Sequence, residues 1–323
     1  MKESFPVISV IMSVFNNETY LTESIKSILN QSFSDFEFII VNDGSTDNSL
    51  KIIDHFSKSD KRIVLINNPK NIGLTKSLNI SINVSKGIYI ARMDGDDIAL
   101  IDRFEKQYNY LEKYSDIFLL GSEAIKIDSN GNKLSTVKLT YGFNEIKNTL
   151  KEKNCIIHPT IFFRNNKEIF YREKFVVSQD YDFYLNLLTK NLVIENYGQP
   201  LIYHRVFNEE SISNNKLKQQ LLLKELARAF YFERTKFGFD SYNNLDFFKL
   251  NEVFKFLKLN EADLNNKVVE LSVLKYLQKG QYLQAKKILK EYRGDYLRKL
   301  MLTSLVTFPY VYTLYRFLKY KNK

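Results

Sequence analysis

Over its first hundred residues the chain alternates between apolar runs of strand length and stretches of helical period. Val7–Val14, Phe36–Val41, Arg62–Ile66 and Gly87–Met93 have the composition of buried strands. Asn16–Gln31, Ser49–Lys58 and Leu74–Val84 between them carry helical spacing, with Leu21, Ile25, Ile28 and Leu29 on one face of the first. Strands and helices alternating at this spacing predict an α/β fold with a mostly parallel, Rossmann-like sheet flanked by helices. Sheets of this kind bind ligands beyond the carboxyl ends of their strands, where the strand order switches. Three of the four strand ends here are polar: Ser13-Val-Phe-Asn-Asn17, Asn42-Asp-Gly-Ser-Thr-Asp47, and Asp94-Gly-Asp-Asp97.

The third of these ends is the most demanding. An apolar strand that runs into Asp94, Asp96 and Asp97 collects like charges, which are costly to hold together unless a cation sits among them. A solvated Asp-Gly turn is the competing reading. Two further polar strand ends at the same edge favour a site.

Beyond residue 100 the pattern predicts a helix over 103–113, a strand over 117–127, a turn at Asp128-Ser-Asn-Gly-Asn132 and a helix over 178–190. Asn154–Arg164 is strand-like but interrupted at His158-Pro159. From about residue 216 the character changes. No proline occurs between Pro200 and Pro309, and Leu, Phe, Tyr and Lys recur at helical spacing. The expectation is one domain over residues 1–215 and an all-helical C-terminal region over 216–323, in which Tyr276–Leu289 has the look of a helical hairpin.

Charge follows the same division. Residues 1–215 hold 25 Lys and Arg against 27 Asp and Glu, whereas residues 216–323 hold 22 against 10. The excess positive charge points to an anionic partner surface at the C-terminal end. There, 16 uncharged residues, Leu300–Tyr315, are broken by Pro309 and followed by Arg316, Lys319, Lys321 and Lys323. A spanning helix needs about 20 apolar residues. Aromatics mixed with lysine and arginine over 298–323 instead suit a segment lying in the headgroup layer of an anionic membrane, with a core helix as the plainer alternative. No recognised nucleic-acid module accompanies the charge, so no nucleic-acid partner is expected. A single cysteine, Cys155, excludes an internal disulfide and fits a reducing compartment, and no signal peptide is expected at the N-terminus.

Five motifs occur in a telling order: Val10-Ile-Met-Ser-Val-Phe-Asn16, Val41-Asn-Asp-Gly-Ser-Thr-Asp47, Asn71-Ile-Gly-Leu-Thr-Lys-Ser-Leu-Asn79, Arg92-Met-Asp-Gly-Asp-Asp97 and Ser178-Gln-Asp-Tyr-Asp182. In them the chain resembles glycosyltransferase family 2, inverting enzymes of the GT-A fold, bacterial surface-polysaccharide type, over residues 5 to about 213. The resemblance implies that Asp96 ligates Mn²⁺ or Mg²⁺ and that Asp94 holds the ribose or the metal's water shell; Asp97, from its neighbours alone, reads as a helix cap. It implies that Asp43 accepts the uracil N3–H, against a plain helix-capping role. Ser13, Phe15 and Asn16 would line the nucleotide pocket, with Phe15 stacking on the base unless it is core, and Lys76 would lie near the nucleotide unless it is simply solvated. Asp180 would be the base that takes the acceptor's proton.

Two departures from the family pattern stand out. Gln179 replaces the acid that usually precedes the base, and Phe207 stands where a histidine is usual. The acceptor side is expected to include His158, Gln179 and Arg205. The implied activity is transfer of a hexose or N-acetylhexosamine from a UDP-sugar to a glycan or polyprenyl-linked acceptor, by an enzyme on the cytoplasmic face of the cell membrane. A weakly active or non-catalytic nucleotide-sugar-binding scaffold of the same fold is the alternative.

Overall fold

The computed structural model describes residues 5–207, 214–246, 282–294 and 296–307, with Asn266, Val269, Glu270, Val273 and Leu277. Two compact units divide the chain, one of residues 1–209 with 231–239, the other of residues 210–230 with 240–323.

The first unit is built on a nine-stranded sheet. Four strands, β1 (Ile8–Val14), β2 (Phe36–Asn42), β3 (Ile63–Asn67) and β4 (Tyr89–Asp94), are mutually parallel in the order β3-β2-β1-β4. Each parallel crossover is made by a helix: α1 (Glu18–Leu29), α2 (Ser49–Ser59) and α3 (Leu74–Val84). Ile8, Val10, Met12, Phe38, Ile40, Ala91 and Met93 are buried in one core cluster, to which α1 contributes Leu21, Ile25 and Ile28. This is the burial that its helical spacing predicts.

Past β4 the sheet is mixed. A two-residue strand, β5 (Ile98–Ala99), precedes α4 (Arg103–Lys113); β6 (Ile117–Ile127), β7 (Lys133–Val137), α5 (Phe143–Leu150), β8 (Phe162–Arg164), α6 (Gln179–Thr189) and β9 (Val193–Arg205) follow. β8 joins β4 to β6 antiparallel, and β9 pairs parallel with β6 and antiparallel with β5. The expected parallel sheet is therefore its first half, and the strand-like stretch over 154–164 narrows to β8 after a 3₁₀ turn at His158–Thr160. β9 keeps its pairing past Gly198 and Pro200 because the β6/β9 register shifts there, as a bulged pair allows.

In the second unit Val269, Val273, Leu277, Ala285, Leu289, Tyr292 and Leu302 form a separate buried cluster. Helix α7 (Asn214–Phe237) has residues in both units, and helices α8 (Tyr282–Leu289) and α9 (Tyr296–Thr307) belong to the second. The first arm of the expected hairpin lies mostly outside the described residues, as do residues 308–323 of the basic aromatic tail. Among the described residues no helix is long and apolar enough to cross a membrane.

Candidate active site

The sheet order runs outward from β1 in both directions, so its switch falls between β1 and β4. There Ser13 is in register with Asp94, and on the other side Val14 is in register with Asn42, one residue before Asp43. The three polar ends thus meet at one edge.

Asp43 is buried and accepts three hydrogen bonds of 2.9 Å, to Oδ1 from the Ile72 N–H and Asn68 Nδ2 and to Oδ2 from the Gly73 N–H. It therefore ties the β2 end to the loop before α3 and does not cap α2. Asp47 serves α2, accepting the Ser49 N–H at 2.9 Å. Gly44, at φ +69°, is required, because a Cβ would stand 2.4 Å from the Lys70 carbonyl carbon. Asn16, itself at φ +50°, accepts the Thr46 N–H on Oδ1 at 2.8 Å and donates its own N–H to Ser45 Oγ at 3.1 Å, stitching β1 to β2. Phe15 is 48% exposed at this edge, which removes the core reading. Lys76 is exposed in the first turn of α3.

Asp94, Asp96 and Asp97 each offer a carboxylate oxygen, all within 4.8 Å of one another. Their surroundings differ. Asp94 faces the guanidinium of Arg92 in a two-point ion pair, with Arg92 itself 2% exposed. Asp97 is fully buried, and its carboxylate takes the Arg205 N–H at 2.8 Å and His204 Nδ1 at 3.1 Å. It is not a helix cap, since Asp102 precedes α4 and Asp97 lies before β5. Burial works against a charge on His204, but the Asp97 hydrogen bond and the neighbouring acids raise its pKa. No described side chain bonds the Asp96 carboxylate. Burial, then the charges of Asp94 and Asp97, push its pKa up to about 7. Three converging hard oxygens, one of them without a counter-charge, fit a hard divalent cation.

Asp180 lies in the first turn of α6, behind Ser178 at φ +56°. Burial raises its pKa, and the N-terminal N–H groups of α6, Arg92 and Asn154 work in the opposite direction. Asn154 donates from Nδ2 to Asp180 Oδ2 at 2.7 Å, and its own Oδ1 is fixed by the Ile156 N–H at 3.0 Å. The buried charge of Arg92 thus acts on Asp94 and on Asp180, and it also helps burial hold His158 well below its ordinary pKa. His158 bonds the Tyr171 hydroxyl at 2.8 Å, and Gln179 is buried at the start of α6.

Arg205 departs from expectation. It is 4% exposed and its guanidinium serves main-chain carbonyls and Glu23, so it does not stand open on an acceptor face. The sequence motifs assign no role to Arg92, which this assembly contains. A charge inside the apolar run of β4, two residues before Asp94 and hence on the same face, was the available signal for Arg92.

Residues 9–171 match the family model described as Glycosyl transferase family 2. An uncharacterized glycosyltransferase of Methanocaldococcus jannaschii is 35% identical over 279 residues, covering 83% of this chain and 96% of that one. The O-antigen biosynthesis glycosyltransferase WbnJ of Escherichia coli is 35% identical over 213 residues, 64% of this chain and 82% of that one. Residues 1–349 of Staphylococcus aureus TarS, solved with UDP-GlcNAc, share the fold at TM-score 0.56 and 19% identity, over 88% of this chain and 89% of that one. With a GT-A fold, a matching family model and relatives of this extent, the chain is a glycosyltransferase and belongs to glycosyl transferase family 2.

Proposed function

We propose that the enzyme moves a hexose or N-acetylhexosamine from a UDP-sugar to a glycan or polyprenyl-linked acceptor, with inversion at the anomeric carbon, in surface-polysaccharide synthesis. The observation that carries this reading is the meeting of three polar strand ends, with one buried guanidinium, Arg92, paired with Asp94 and acting electrostatically on Asp180. The polysaccharide context is that of the Escherichia coli relative, and UDP-GlcNAc is the ligand of the Staphylococcus aureus structure.

In this reading Phe15 stacks on uracil, Asp43 accepts its N3–H on the acceptor site of Oδ2 that Ile72, Gly73 and Asn68 leave open, and Ser13, Asn16 and Lys76 border the nucleotide. Asp94 holds the ribose. Asp96, with Asp94 and Asp97 beside it, would hold Mn²⁺ or Mg²⁺, whose charge offsets that of the departing diphosphate. The acceptor oxygen forms the new bond to the anomeric carbon as the bond to the diphosphate oxygen breaks. Its proton passes to Asp180, and the electron pair leaves with UDP. His158 and Gln179 shape the acceptor side. Residues 298–323, with their excess of Lys and Arg, would hold the enzyme peripherally at the inner face of the membrane. Incubation with UDP-hexoses and UDP-N-acetylhexosamines plus Mn²⁺ tests the donor class, with free UDP as the readout. Release of UDP from none of them, with turnover of a GDP- or dTDP-sugar, would reject it.

Two outcomes separate function from packing. Phe15→Ala should weaken UDP binding about tenfold, since base stacking on an aromatic contributes about 1–3 kcal/mol, and should leave the melting temperature unchanged because the ring is exposed. An unchanged UDP affinity in calorimetry would remove Phe15 from the site. Asn154→Ala deletes a hydrogen bond that favours the charged form of Asp180. Since the base must be deprotonated, activity falls as pH drops through its elevated pKa, and the variant's acid limb should move to higher pH. An unmoved limb in the pH–rate profile would contradict this.

A further inference from the structure

The acidic strand end has a mechanical support that no sequence motif announces. Arg205, at the end of β9, gathers three separate segments around one guanidinium. Its Nε donates to the Asp96 carbonyl at 2.9 Å, Nη1 donates to the Asp128 and Ser129 carbonyls at 3.0 and 3.2 Å, and Nη2 meets the Glu23 carboxylate at 2.9 Å. Four of its N–H donors are thereby directed, and its main-chain N–H reaches Asp97 at 2.8 Å. The guanidinium carbon stands 4.3 Å from the centre of the Tyr20 ring, and Tyr20 in turn contacts the ring of Phe207 at 5.6 Å.

We propose that Arg205 is the positioning residue of the acidic loop: it fixes the Asp96 main chain so that the Asp96 carboxylate meets a divalent cation bound together with a nucleoside diphosphate. The inference rests on the metal role proposed above for Asp96. Its physical basis is the contrast along the loop. Asp94 is anchored through its side chain by Arg92, and Asp97 by His204 and the Arg205 N–H, whereas the Asp96 carboxylate has no described side-chain partner. Gly95 before it adds no side chain to stiffen the turn. Among the described residues the tether of Asp96 is its carbonyl, held by Arg205 Nε. A planar fork can serve carbonyls from two segments and a carboxylate from a third at once; a lysine ammonium offers one point of charge and cannot span them. Burial of the guanidinium keeps water from replacing these bonds cheaply. Glu23 supplies the counter-charge from α1, and because it is 58% exposed it can lose that charge without a cavity.

The test is Mn²⁺ binding by titration calorimetry at saturating UDP, alongside UDP binding without metal, for the wild type, Asp96→Asn, Arg205→Lys, Arg205→Ala and Glu23→Gln. Outer residues that orient metal ligands typically alter metal affinity by about 10–100-fold. Arg205→Lys should weaken Mn²⁺ about tenfold while metal-free UDP affinity stays within about twofold. Arg205→Ala should weaken it further, with partial recovery in added guanidinium, and Glu23→Gln should weaken it by a smaller factor. Should Arg205→Ala fail to fold, Arg205→Lys and Glu23→Gln decide the matter. Wild-type Mn²⁺ affinity in Arg205→Lys, or an equal loss of metal-free UDP affinity, would overturn the positioning role. If the wild type binds no Mn²⁺, or Asp96→Asn binds it as well as the wild type does, the metal reading of Asp96 falls and takes this role with it. A normal wild type with a defective Asp96→Asn and an intact Arg205→Lys overturns the positioning role alone.

Discussion

Asp180→Asn is expected to lower the rate of sugar transfer by about a thousandfold, within the 10²–10⁴ that a positioned general base ordinarily contributes. The amide keeps the shape of the carboxylate but cannot take the acceptor's proton. Opposing influences act on this one group. Burial favours the protonated acid, while Arg92, the Asn154 donor and the first turn of α6 favour the carboxylate. A carboxylate held in this way binds a proton more strongly than a free one does. UDP affinity should hold within about twofold, because the expected nucleotide contacts sit on the ends of β1, β2 and β4 and the start of α3, not on α6. Full turnover by the variant would remove Asp180 from the role of base.

Asp96→Asn should be equally severe for a different reason. A cation offsetting a leaving diphosphate is worth several kcal/mol, so transfer should fall by about 10³-fold. Excess Mn²⁺ should not restore it. The fold should not suffer, because Asp96 is crowded by Asp94 and Asp97 and lacks a described side-chain partner. Removing its charge relieves repulsion, and the metal-free variant should melt no lower than the wild type. Loss of activity together with a lowered melting temperature would mean that Asp96 is a structural acid.

The parallel half of the fold was legible because its information is local. β1 to β4 and α1 to α3 lie within a residue or two of the boundaries expected from apolar runs and helical spacing. β9 was passed over because Gly198 and Pro200 break the strand pattern, and its continuity depends on β6, a partner far back in the chain. The site shows the same divide. Ser13, Asp43, Asp94 and Asp96 follow from their places at strand ends. Asp97 was read as a cap from its neighbours alone, whereas its partners His204 and Arg205 lie 107 and 108 residues away. Arg205 is expected on the acceptor side from the family resemblance alone. Nothing local shows that a guanidinium will be spent on the carbonyls of Asp96, Asp128 and Ser129. Side chains whose roles are set by long-range packing are the ones a linear reading assigns wrongly.

These strand ends are proposed to form together a uridine-diphosphate and metal site. A thermal-shift screen of UDP-, GDP- and dTDP-sugars with and without Mn²⁺ tests it most directly, since a ligand that binds only the folded state raises its melting temperature. Stabilisation by UDP-sugars is expected, larger with Mn²⁺, and lost in that metal-dependent part by Asp96→Asn. Stabilisation by GDP-sugars alone would contradict the part assigned to Asp43, and a UDP-sugar shift indifferent to Mn²⁺ would contradict the part assigned to Asp96.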